Sequence, residues 1–550
     1  MLSADFVIVG GGSAGAALAG RLSEDPSVSV VLLEAGGNAR SPWVDRPLGL
    51  FKTIGNAAYD WKFQTEPAEQ VAGRRVSWPR GKGLGGSSLI NGMLYLRGHQ
   101  RDYDRWEALG NPGWGWESVL RSFERSAGGM PASEGGGANG PFHVSRLPTD
   151  SISDAFIEAA QGCGISHTED FNLGNNAGAG YFKMNTRNGC RVSSASAYLT
   201  PVRHRSNLTV LTGCHARRVV IEGRTATGVD FMLDGQGRTV QARCEVIVCA
   251  GAIQSPQLLQ LSGVGPARLL EAVGVPVVHN LPGVGANLQD HLQVRLTFRC
   301  RGVRTLNDLA SSKLKQLAAF LQYQLFREGA IAFGVFRAGA FISSSVAEPD
   351  WPDAQIHLAL MSFDRPDLGP HPFPGITLSA CLLRPQSRGR VEIQSADPLA
   401  APLIHAGYLE HEADVDLARE LVETVRKIAA TEPLSKYILN PHDPSGNVQG
   451  DEALVSWVRQ KAMSIYHPAG TCMMGVHSDS GAVVDARLRV HGIRAMRVVD
   501  ASIMPFIVSG NTNGPTVMIA EHAAAMIKAD WGHSLPPPPP SYLQHLEQWA

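Results

Sequence analysis

The chain has 550 residues, more than one domain of ordinary size needs, and a formal net charge of −1. A net charge this close to zero does not indicate the basic surface that binds nucleic acid. No uninterrupted apolar run is long enough to cross a membrane. The eight cysteines form no CxxC pair and no metal-type Cys/His spacing, so no metal site is predicted and buried thiols of a cytoplasmic protein are expected. The first residues lack the basic segment and cleavage site of a signal peptide.

Segments typical of a nucleotide-binding fold recur along the chain. At the start, an apolar, β-branched run predicts a buried strand, GGGSAG follows as a turn, and an Ala/Leu pattern predicts a helix before the next strand. Less regular blocks separate the later segments, so we predict one α/β domain that is interrupted by a second domain. The predicted strands cover residues 5–10, 28–34, 245–249 and 496–499, and the last predicted helix covers 515–530.

The first turn carries the strongest motif, Gly10-x-Gly12-x-x-Gly15, between a strand and a helix. The first glycine permits a tight turn, the second lets the backbone approach a pyrophosphate, and the third lets helix and strand pack closely. The N–H groups of the helix start are then free to bind phosphate, and Glu34, which ends the next strand, is placed to bind a ribose hydroxyl. A carboxylate there disfavours NADP, but the motif leaves FAD and NAD open.

A second glycine-rich segment, GKGLGGSSLINGMLYLRG at 81–98, offers small residues and backbone N–H groups that suit a chain beside a flavin or its phosphates. With this segment the chain resembles the glucose–methanol–choline (GMC) flavin oxidoreductases. Both signatures of that family are matched, and the resemblance covers essentially the whole chain, with most likeness to the choline dehydrogenase and alkanol dehydrogenase branch. Further matching blocks are 251–256 with 262–265, 466–475 and 498–516, and the stretch LPGVGANLQDH at 281–291 resembles the choline and alkanol dehydrogenase branch.

The resemblance implies an α/β fold with an α+β second domain. It consists of a Rossmann-like FAD-binding domain, discontinuous in sequence, and an interleaved substrate-binding domain built on an antiparallel sheet plus helices. Residues 533–550, with five consecutive prolines, are predicted to form an extended tail. The predicted FAD-binding domain comprises residues 1–155, 205–291 and 466–532, and the predicted substrate-binding domain comprises 156–204 and 292–465.

FAD is the cofactor that the resemblance implies. Some members attach FAD covalently through a histidine immediately before the asparagine equivalent to Asn91; this chain has Ile90 there, so non-covalent binding is expected. Asp500 is expected near the ribityl-phosphate region, and the backbone of Val219 at the adenine end. The predicted cofactor-binding residues are Gly10, Gly12, Ser13, Ala14, Gly15, Glu34, Ala35, Gly83, Gly86, Ser87, Asn91, Gly92, Met93, Leu94, Val219, Asp500, Ala501, Asn511, Thr512, Pro515 and Thr516.

Two residues are predicted to be catalytic. Alcohol oxidation needs a base for the hydroxyl proton, and the resemblance puts the catalytic histidine of the family at His467. Asn511 stands where the family has a second histidine or an asparagine; it can bond the substrate oxygen but cannot serve as the base. The implied reaction transfers a hydride from a primary alcohol to the flavin N5 and releases an aldehyde.

The substrate and the electron acceptor stay open at this stage. The resemblance favours a dehydrogenase that passes electrons to a quinone or an artificial acceptor; the alternatives are choline dehydrogenase proper and an oxidase that uses O₂ and releases H₂O₂. Charged residues make up 18% of the chain, which favours an aliphatic or aromatic alcohol, whereas choline would need a carboxylate or an aromatic cage. Peripheral contact with the inner face of the membrane stays open, although no basic amphipathic helix is evident.

Two functions from other classes compete with this interpretation. An NAD-dependent dehydrogenase is disfavoured because the chain has one GxGxxG motif and its other blocks match a flavin family. A flavin-fold protein without enzymatic activity is disfavoured because the pair His467 and Asn511 is intact.

Overall fold

The computed structural model describes residues 2–129, 139–364, 369–477 and 481–532. None of the helices in these ranges combines the length and the apolar character that a bilayer-spanning segment requires. All eight cysteines are free thiols. The predicted proline-rich tail, 533–550, lies outside the described residues.

Two seven-stranded sheets organise the structure. Their strands, in chain order, are β1 (Leu2–Val9), β2 (Val30–Glu34), β3 (Gly178–Tyr181), β4 (Leu208–Thr212), β5 (His215–Glu222), β6 (Thr225–Leu233), β7 (Gln236–Val248), β8 (Leu292–Cys300), β9 (Phe336–Ile342), β10 (Ala354–Ala359), β11 (Gly375–Leu382), β12 (Ile438–Asp443), β13 (Met463–Ser464) and β14 (Met496–Val498). Shorter strands of the described residues are Phe63–Gln64, Ser77–Trp78, Leu94–Tyr95, Ala127–Gly128, Phe142–His143, Ser145–Arg146, Lys183–Met184, Thr186–Arg187, Cys190–Arg191, Val264–Gly265, His279–Asn280, Arg390–Glu392 and Leu403–His405.

Helices cover both sheets. The longer ones are α1 (Ser13–Leu22), α2 (Gln100–Ala108), α3 (Trp116–Ser126), α4 (Ser151–Gly162), α5 (Gly251–Leu261), α6 (Lys313–Phe326), α7 (Glu412–Ala430), α8 (Asp451–Lys461) and α9 (Asn513–Trp531). Short helices of four to six residues occur at Pro42–Asp45, Leu50–Thr53, Ala267–Ala272, Leu306–Ala310 and Ala330–Phe333.

The first sheet has the strand order β4-β2-β1-β7-β6-β5, with β14 beside β7. Its central strands β2, β1, β7 and β14 run parallel, and β5 and β6 add an antiparallel edge. Strand β1 is apolar along most of its length because helices cover both faces of such a sheet. The predicted α/β fold is confirmed. The predicted strand 245–249 is the end of the longer strand β7, whose first half forms a hairpin with β6.

The second sheet is antiparallel throughout, with the order β12-β8-β11-β10-β9-β3 and β13 beside β8. Helix α7 packs on it with its apolar face, and strand β10 is buried along its whole length. The predicted antiparallel sheet with helices is confirmed.

Each sheet has its own apolar core. The predicted domain ranges remain a prediction, and two segments pack across the predicted boundaries. Helix α4 crosses the boundary between residues 155 and 156 and packs with the second core, whereas residues 195–199 pack with the first core.

A buried ion pair joins the distant segments of the first sheet. The guanidinium of Arg497 on β14 donates to both carboxylate oxygens of Glu245 on β7, at 2.6 and 2.9 Å, and to Asp530 of helix α9 at 2.7 Å. Arg497 and Glu245 are both buried. Removal of one partner from such a pair leaves an uncompensated charge in the core.

Candidate active site

A large cavity lies between the two sheets. Strands β1, β2, β7 and β14 end beside it, and the residues that follow them line it. Ligands of open α/β sheets bind at this edge, outside the carboxyl ends of the strands. The cavity measures about 350 Å³, within the roughly 300–1,000 Å³ of an ordinary ligand pocket, and its lining extends from the glycine-rich turn after β1 to the second sheet.

The turn after β1 has the backbone geometry that the glycine motif predicts. Gly10 has a φ of 101°, and a Cβ there would lie 2.5 Å from the carbonyl oxygen of Cys249. A Cβ on Gly15 would lie 1.9 Å from the carbonyl oxygen of Gly10, so helix and strand pack as closely as backbone allows. Helix α1 begins at Ser13 without a side-chain cap. Its first N–H groups therefore suit the diphosphate of FAD.

The two glycine-rich segments form one surface. Gly85 donates its N–H to the carbonyl oxygen of Gly11 at 2.7 Å, and a Cβ on Gly86 would lie 2.6 Å from the Cα of Gly12. Neither segment can move away from the other without breaking this contact. A cofactor bound by residues 10–15 therefore also meets residues 81–98.

The Glu34 carboxylate connects the same segments from the end of β2. Its Oε2 accepts the N–H of Gly11 at 2.8 Å, and its Oε1 accepts those of Gly36 at 2.7 Å and Gly83 at 3.0 Å. Burial raises the pKa of Glu34 above its usual value, although the three N–H donors oppose that shift. Glu34 lines the cavity, and its contact with a ribose hydroxyl remains a prediction.

The last helix also begins at the cavity, beside the start of helix α1. Helix α9 starts at Asn513 without a side-chain cap, and the Ser13 hydroxyl donates to Asn513 Oδ1 at 2.8 Å. Two helix N-termini therefore adjoin the same space. Asp500 accepts hydrogen bonds from the Gly251 N–H at 2.8 Å and from the Ser255 hydroxyl at 2.6 Å, which orders the turn before helix α5.

Most of the predicted residues line the cavity, and four lie behind it. Gly15 packs against Gly10, and Gly83 donates its N–H to Glu34. Pro515 is buried in the first turn of α9. Val219 donates its N–H to the Ser262 hydroxyl at 2.8 Å and lies outside the lining, where Cys214, His215 and Ala216 are found instead. The lining includes the predicted residues Gly10, Gly12, Ser13, Ala14, Glu34, Ala35, Gly86, Ser87, Asn91, Gly92, Met93, Leu94, His467, Asp500, Ala501, Asn511, Thr512 and Thr516.

The two predicted catalytic residues are in direct contact. Asn511 Nδ2 lies 3.2 Å from His467 Nε2, although 44 residues separate them in the sequence. Gln355 Nε2 donates to Asn511 Oδ1 at 3.3 Å, which orients the amide so that its NH₂ group faces the imidazole. The sequence did not indicate Gln355, which lies on β10 of the second sheet.

A second histidine determines which nitrogen of His467 carries the proton. His291 Nε2 lies 3.1 Å from the carbonyl oxygen of Leu383, which can only accept, so Nε2 is protonated. In a neutral imidazole, His291 Nδ1 is then an acceptor, and His467 Nδ1, 3.0 Å away, must donate to it. His467 Nε2 is left with a free lone pair, which accepts from Asn511. The hydrogen bonds thus present the basic nitrogen of His467 to the cavity.

Electrostatics keep these imidazoles neutral. Burial, with the nearby His291, Arg80 and His357, holds the pKa of His467 well below its usual value. Burial lowers the pKa of His291 to about 3 and that of His357 to about 4. A histidine with a low pKa is deprotonated at neutral pH, so His467 is ready to accept a proton.

The backbone of His467 is held by a buried carboxylate that the sequence did not indicate. Asp290 Oδ1 accepts the His467 N–H at 2.7 Å, and Oδ2 accepts the hydroxyl of Ser464 at 2.5 Å and that of Tyr408. Burial raises the pKa of Asp290 to about 6. Asp290 and His291 belong to the block LPGVGANLQDH, whose likeness to the family was the signal available for them.

The second sheet contributes both polar and apolar side chains to the cavity wall near His467. Arg295, Ser379 and His357 lie opposite one another on β8, β11 and β10 and line the cavity together. Apolar side chains complete this wall. They are Leu50, Phe51, Ile54, Val335, Phe336, Phe363 and Ile465.

Outside this wall, Asp364, His371 and His442 place their ligand atoms within 4.8 Å of one another. His371 Nε2 lies 3.3 Å from Asp364 Oδ1. The sequence predicts no metal site. It could not indicate this cluster, because the fold, and not a sequence motif, brings the three residues together.

Comparison with known proteins gives consistent matches. Family models for GMC oxidoreductases match residues 4–293 and 385–520. An oxygen-dependent choline dehydrogenase from Vibrio vulnificus is 40% identical over 97% of this chain and 95% of that protein. An alcohol dehydrogenase [acceptor] from Pseudomonas putida is 39% identical over 95% of both chains. The crystal structure of pyridoxine 4-oxidase from Mesorbium loti, 31% identical, matches with a TM-score of 0.86 over 97% of this chain and 100% of that chain.

These matches agree with the cavity. Gly10, Gly12 and Gly86 leave room for close approach of a dinucleotide, and two uncapped helix starts are available for its charges. Ile90 lines the cavity and offers no nucleophile for a covalent link, so FAD is bound non-covalently. The chain belongs to the GMC oxidoreductase family and is an FAD-dependent alcohol oxidoreductase.

Proposed function

We propose that His467 is the base and Asn511 the oxygen ligand in the oxidation of a neutral primary alcohol to its aldehyde. The observation that supports this most is the lone pair on His467 Nε2, which faces Asn511 at the cavity. FAD supplies the hydride acceptor when it is bound by residues 10–15, 81–98 and 500–516. An alcohol hydroxyl that takes the place of the Asn511 amide as donor to Nε2 transfers its proton there, and the amide then donates to the alcohol oxygen.

The charges that line the cavity favour a neutral alcohol over choline. Among the described lining residues the carboxylates are Glu34 and Asp500, and both already accept hydrogen bonds from backbone N–H groups. Arg80 and Arg295 also line the cavity. Two guanidinium groups without a free carboxylate repel a quaternary ammonium group. The Arg295 guanidinium also occupies a ring face that could otherwise contact such a group, since it lies 4.3 Å from the centre of the Phe363 ring.

The electron acceptor in this proposal is a quinone or, in the assay, an artificial dye. We also propose that the protein is located in the cytoplasm and makes peripheral contact with the inner face of the membrane. Eight free cysteines fit a reducing compartment. Use of O₂ as acceptor is the competing candidate, since a structure similar to this chain is described as an oxidase.

Anaerobic reduction of the bound flavin tests the proposed roles. The FAD-loaded enzyme is mixed with a panel of alcohols, including benzyl alcohol, octanol and choline, and loss of the visible flavin absorption is followed. We expect rapid reduction by the neutral alcohols, slow reduction by choline, and loss of most of this rate in His467→Ala with FAD still bound. Choline as the best substrate, or a His467→Ala enzyme reduced at the wild-type rate, would overturn the proposal.

A second measurement separates the acceptors. Turnover of the best alcohol is compared with a quinone analogue, a dye and O₂, and H₂O₂ is quantified in each reaction. The proposal requires faster turnover with the quinone analogue or dye than with O₂. Stoichiometric H₂O₂ at the full rate would favour the oxidase.

A further inference from the structure

Helix α6 exposes large apolar side chains to solvent. Leu314 is 80% exposed, Leu325 72%, Leu317 54% and Leu321 50%. Single exposed leucines are ordinary on protein surfaces, but four on one 14-residue helix form a continuous apolar strip. We call these four leucines the α6 strip.

The strip faces away from the protein. At 100° per residue, its four members lie within an arc of about 80°, on the side opposite Tyr323. Tyr323 is the buried residue of the helix. Its hydroxyl lies 3.5 Å from Cys190 Sγ, and the Arg46 guanidinium lies 5.9 Å from its ring and 5.1 Å from that of Phe320. The helix is thus attached along one side, with the leucines outward.

Helix α6 carries lysines and no acidic residue, and the first acidic residues beyond its two ends are Asp308 and Glu328. Residues 309–327 contain no Asp or Glu but include Lys313, Lys315 and Arg327, all exposed. Lys313 and Lys315 lie on either flank of the strip at its N-terminal end, where their ammonium groups can reach a surface that the leucines enter. Apolar residues flanked by lysines are typical of helices that lie in a membrane interface and contact anionic lipid headgroups.

We propose that helix α6 docks this enzyme on the surface of a bilayer that contains anionic lipids. The α6 strip enters the acyl boundary, and Lys313 and Lys315 contact the headgroups. The positive charge argues against a second copy of the chain as the occupant, because two such helices would repel each other.

Docking would bring the cavity wall close to the membrane. The short helix Ala330–Phe333 contacts α6 and leads directly to Val335, which lines the cavity together with Leu50 and Phe51. A quinone or an apolar alcohol dissolved in the bilayer would therefore reach the enzyme from that side. The docking rests on the proposed function in that it names the surface for the membrane contact proposed there, and this consequence rests in addition on the proposed alcohol and quinone chemistry.

Vesicle flotation of the FAD-loaded full chain tests the docking without turnover. Phosphatidylcholine vesicles are compared with vesicles that also contain phosphatidylglycerol. We expect binding to the anionic vesicles, weaker binding to the neutral ones, and weakening by added salt. Wild-type protein that stays unbound with anionic vesicles would overturn the proposal.

Three double variants identify the surface. Leu321→Gln with Leu325→Gln keeps helix propensity and charge but removes apolar area, and should lower vesicle partitioning by about 100-fold. Lys313→Gln with Lys315→Gln should lower it by about 30-fold, on anionic vesicles only. Leu399→Gln with Leu439→Gln changes two exposed leucines elsewhere and should bind as wild type does.

The rate of dye-linked alcohol oxidation in solution should be the same in all these variants as in the wild type. Failure of the docking can therefore be distinguished from failure of the proposed function. An α6-strip variant that floats like the wild type would overturn the proposal. So would a wild-type protein that sediments as a dimer while the strip variant sediments as a monomer, because a second copy would then cover the strip.

Discussion

Replacement of His291 by phenylalanine tests whether this residue determines the protonation of His467. The variant keeps an aromatic ring of similar size but removes both nitrogens. His467 Nδ1 then loses its acceptor at 3.0 Å, in a site where His467 is 9% exposed.

The expected effect follows from the cost of a buried donor without a partner, which is about 1–3 kcal/mol. That cost falls on the tautomer protonated at Nδ1, the one that leaves Nε2 free to accept. The alternative tautomer carries its proton on Nε2, toward Asn511, and cannot act as a base there. If the two tautomers are otherwise similar in energy, the active fraction falls by about 5- to 150-fold.

The assay is the anaerobic rate of flavin reduction by a saturating alcohol. We expect His291→Phe to retain FAD and to be reduced at a rate lower by that factor. His522→Phe is the matched control, because His522 is a half-buried histidine whose pKa burial lowers to about 4, and it lies outside the cavity lining. A His291→Phe enzyme that is reduced as fast as the wild type would refute the tautomer assignment.

Two further predictions concern binding and stability. Gly15→Ala puts a Cβ 1.9 Å from the Gly10 carbonyl oxygen, so we expect protein purified with little FAD, measured as flavin per chain, whereas Gly37→Ala, with nothing within 4 Å, should retain it. Arg497→Met leaves Glu245 buried without its cation and should lower the free energy of unfolding by about 3–5 kcal/mol in urea. The exposed Arg218→Met should change it by less than ~1 kcal/mol.

The fold was predictable because its decisive signals are local. Strands β1 and β2 of the first sheet are short apolar runs that lead into Gly10 and end at Glu34, and both residues lie beside the cavity. The start of β7 was missed because its first four residues, QGRT at 236–239, are polar or glycine, a composition typical of turns. Its pairing with β6 in a hairpin makes this segment a strand.

The partners of His467 could not be predicted, because register brings them together. Gln355 and His357 are polar residues in the buried strand β10, and their contact with Asn511 depends on how β10 pairs with β9 and β11. His291 is adjacent to Asp290 in a block whose role was visible only as a resemblance. Nothing in the local pattern distinguishes these residues from satisfied polar groups of the core.

Helix α6 illustrates the opposite difficulty. The sequence predicts no basic amphipathic helix, and the leucine spacing of this segment is the usual sign of a face that packs on a core. The structure instead buries Tyr323 and leaves the leucines in solvent. Periodicity identifies a face but does not state what covers it, and the side that is buried follows from Arg46 and Cys190, which are distant in sequence.

The hydrogen bonds around His467 also connect the two sheets. Gln355 lies in the second sheet, and Leu383 directly follows strand β11 of that sheet. Asn511 precedes helix α9, which starts at the cofactor cavity. His291 and His467 lie at the junction of the two sheets. The basic nitrogen is therefore oriented only when both sheets are in their observed arrangement. A change that shifts the second sheet relative to the first should affect proton acceptance by His467 before it affects FAD binding, because the glycine-rich segments are fastened within the first sheet by Glu34.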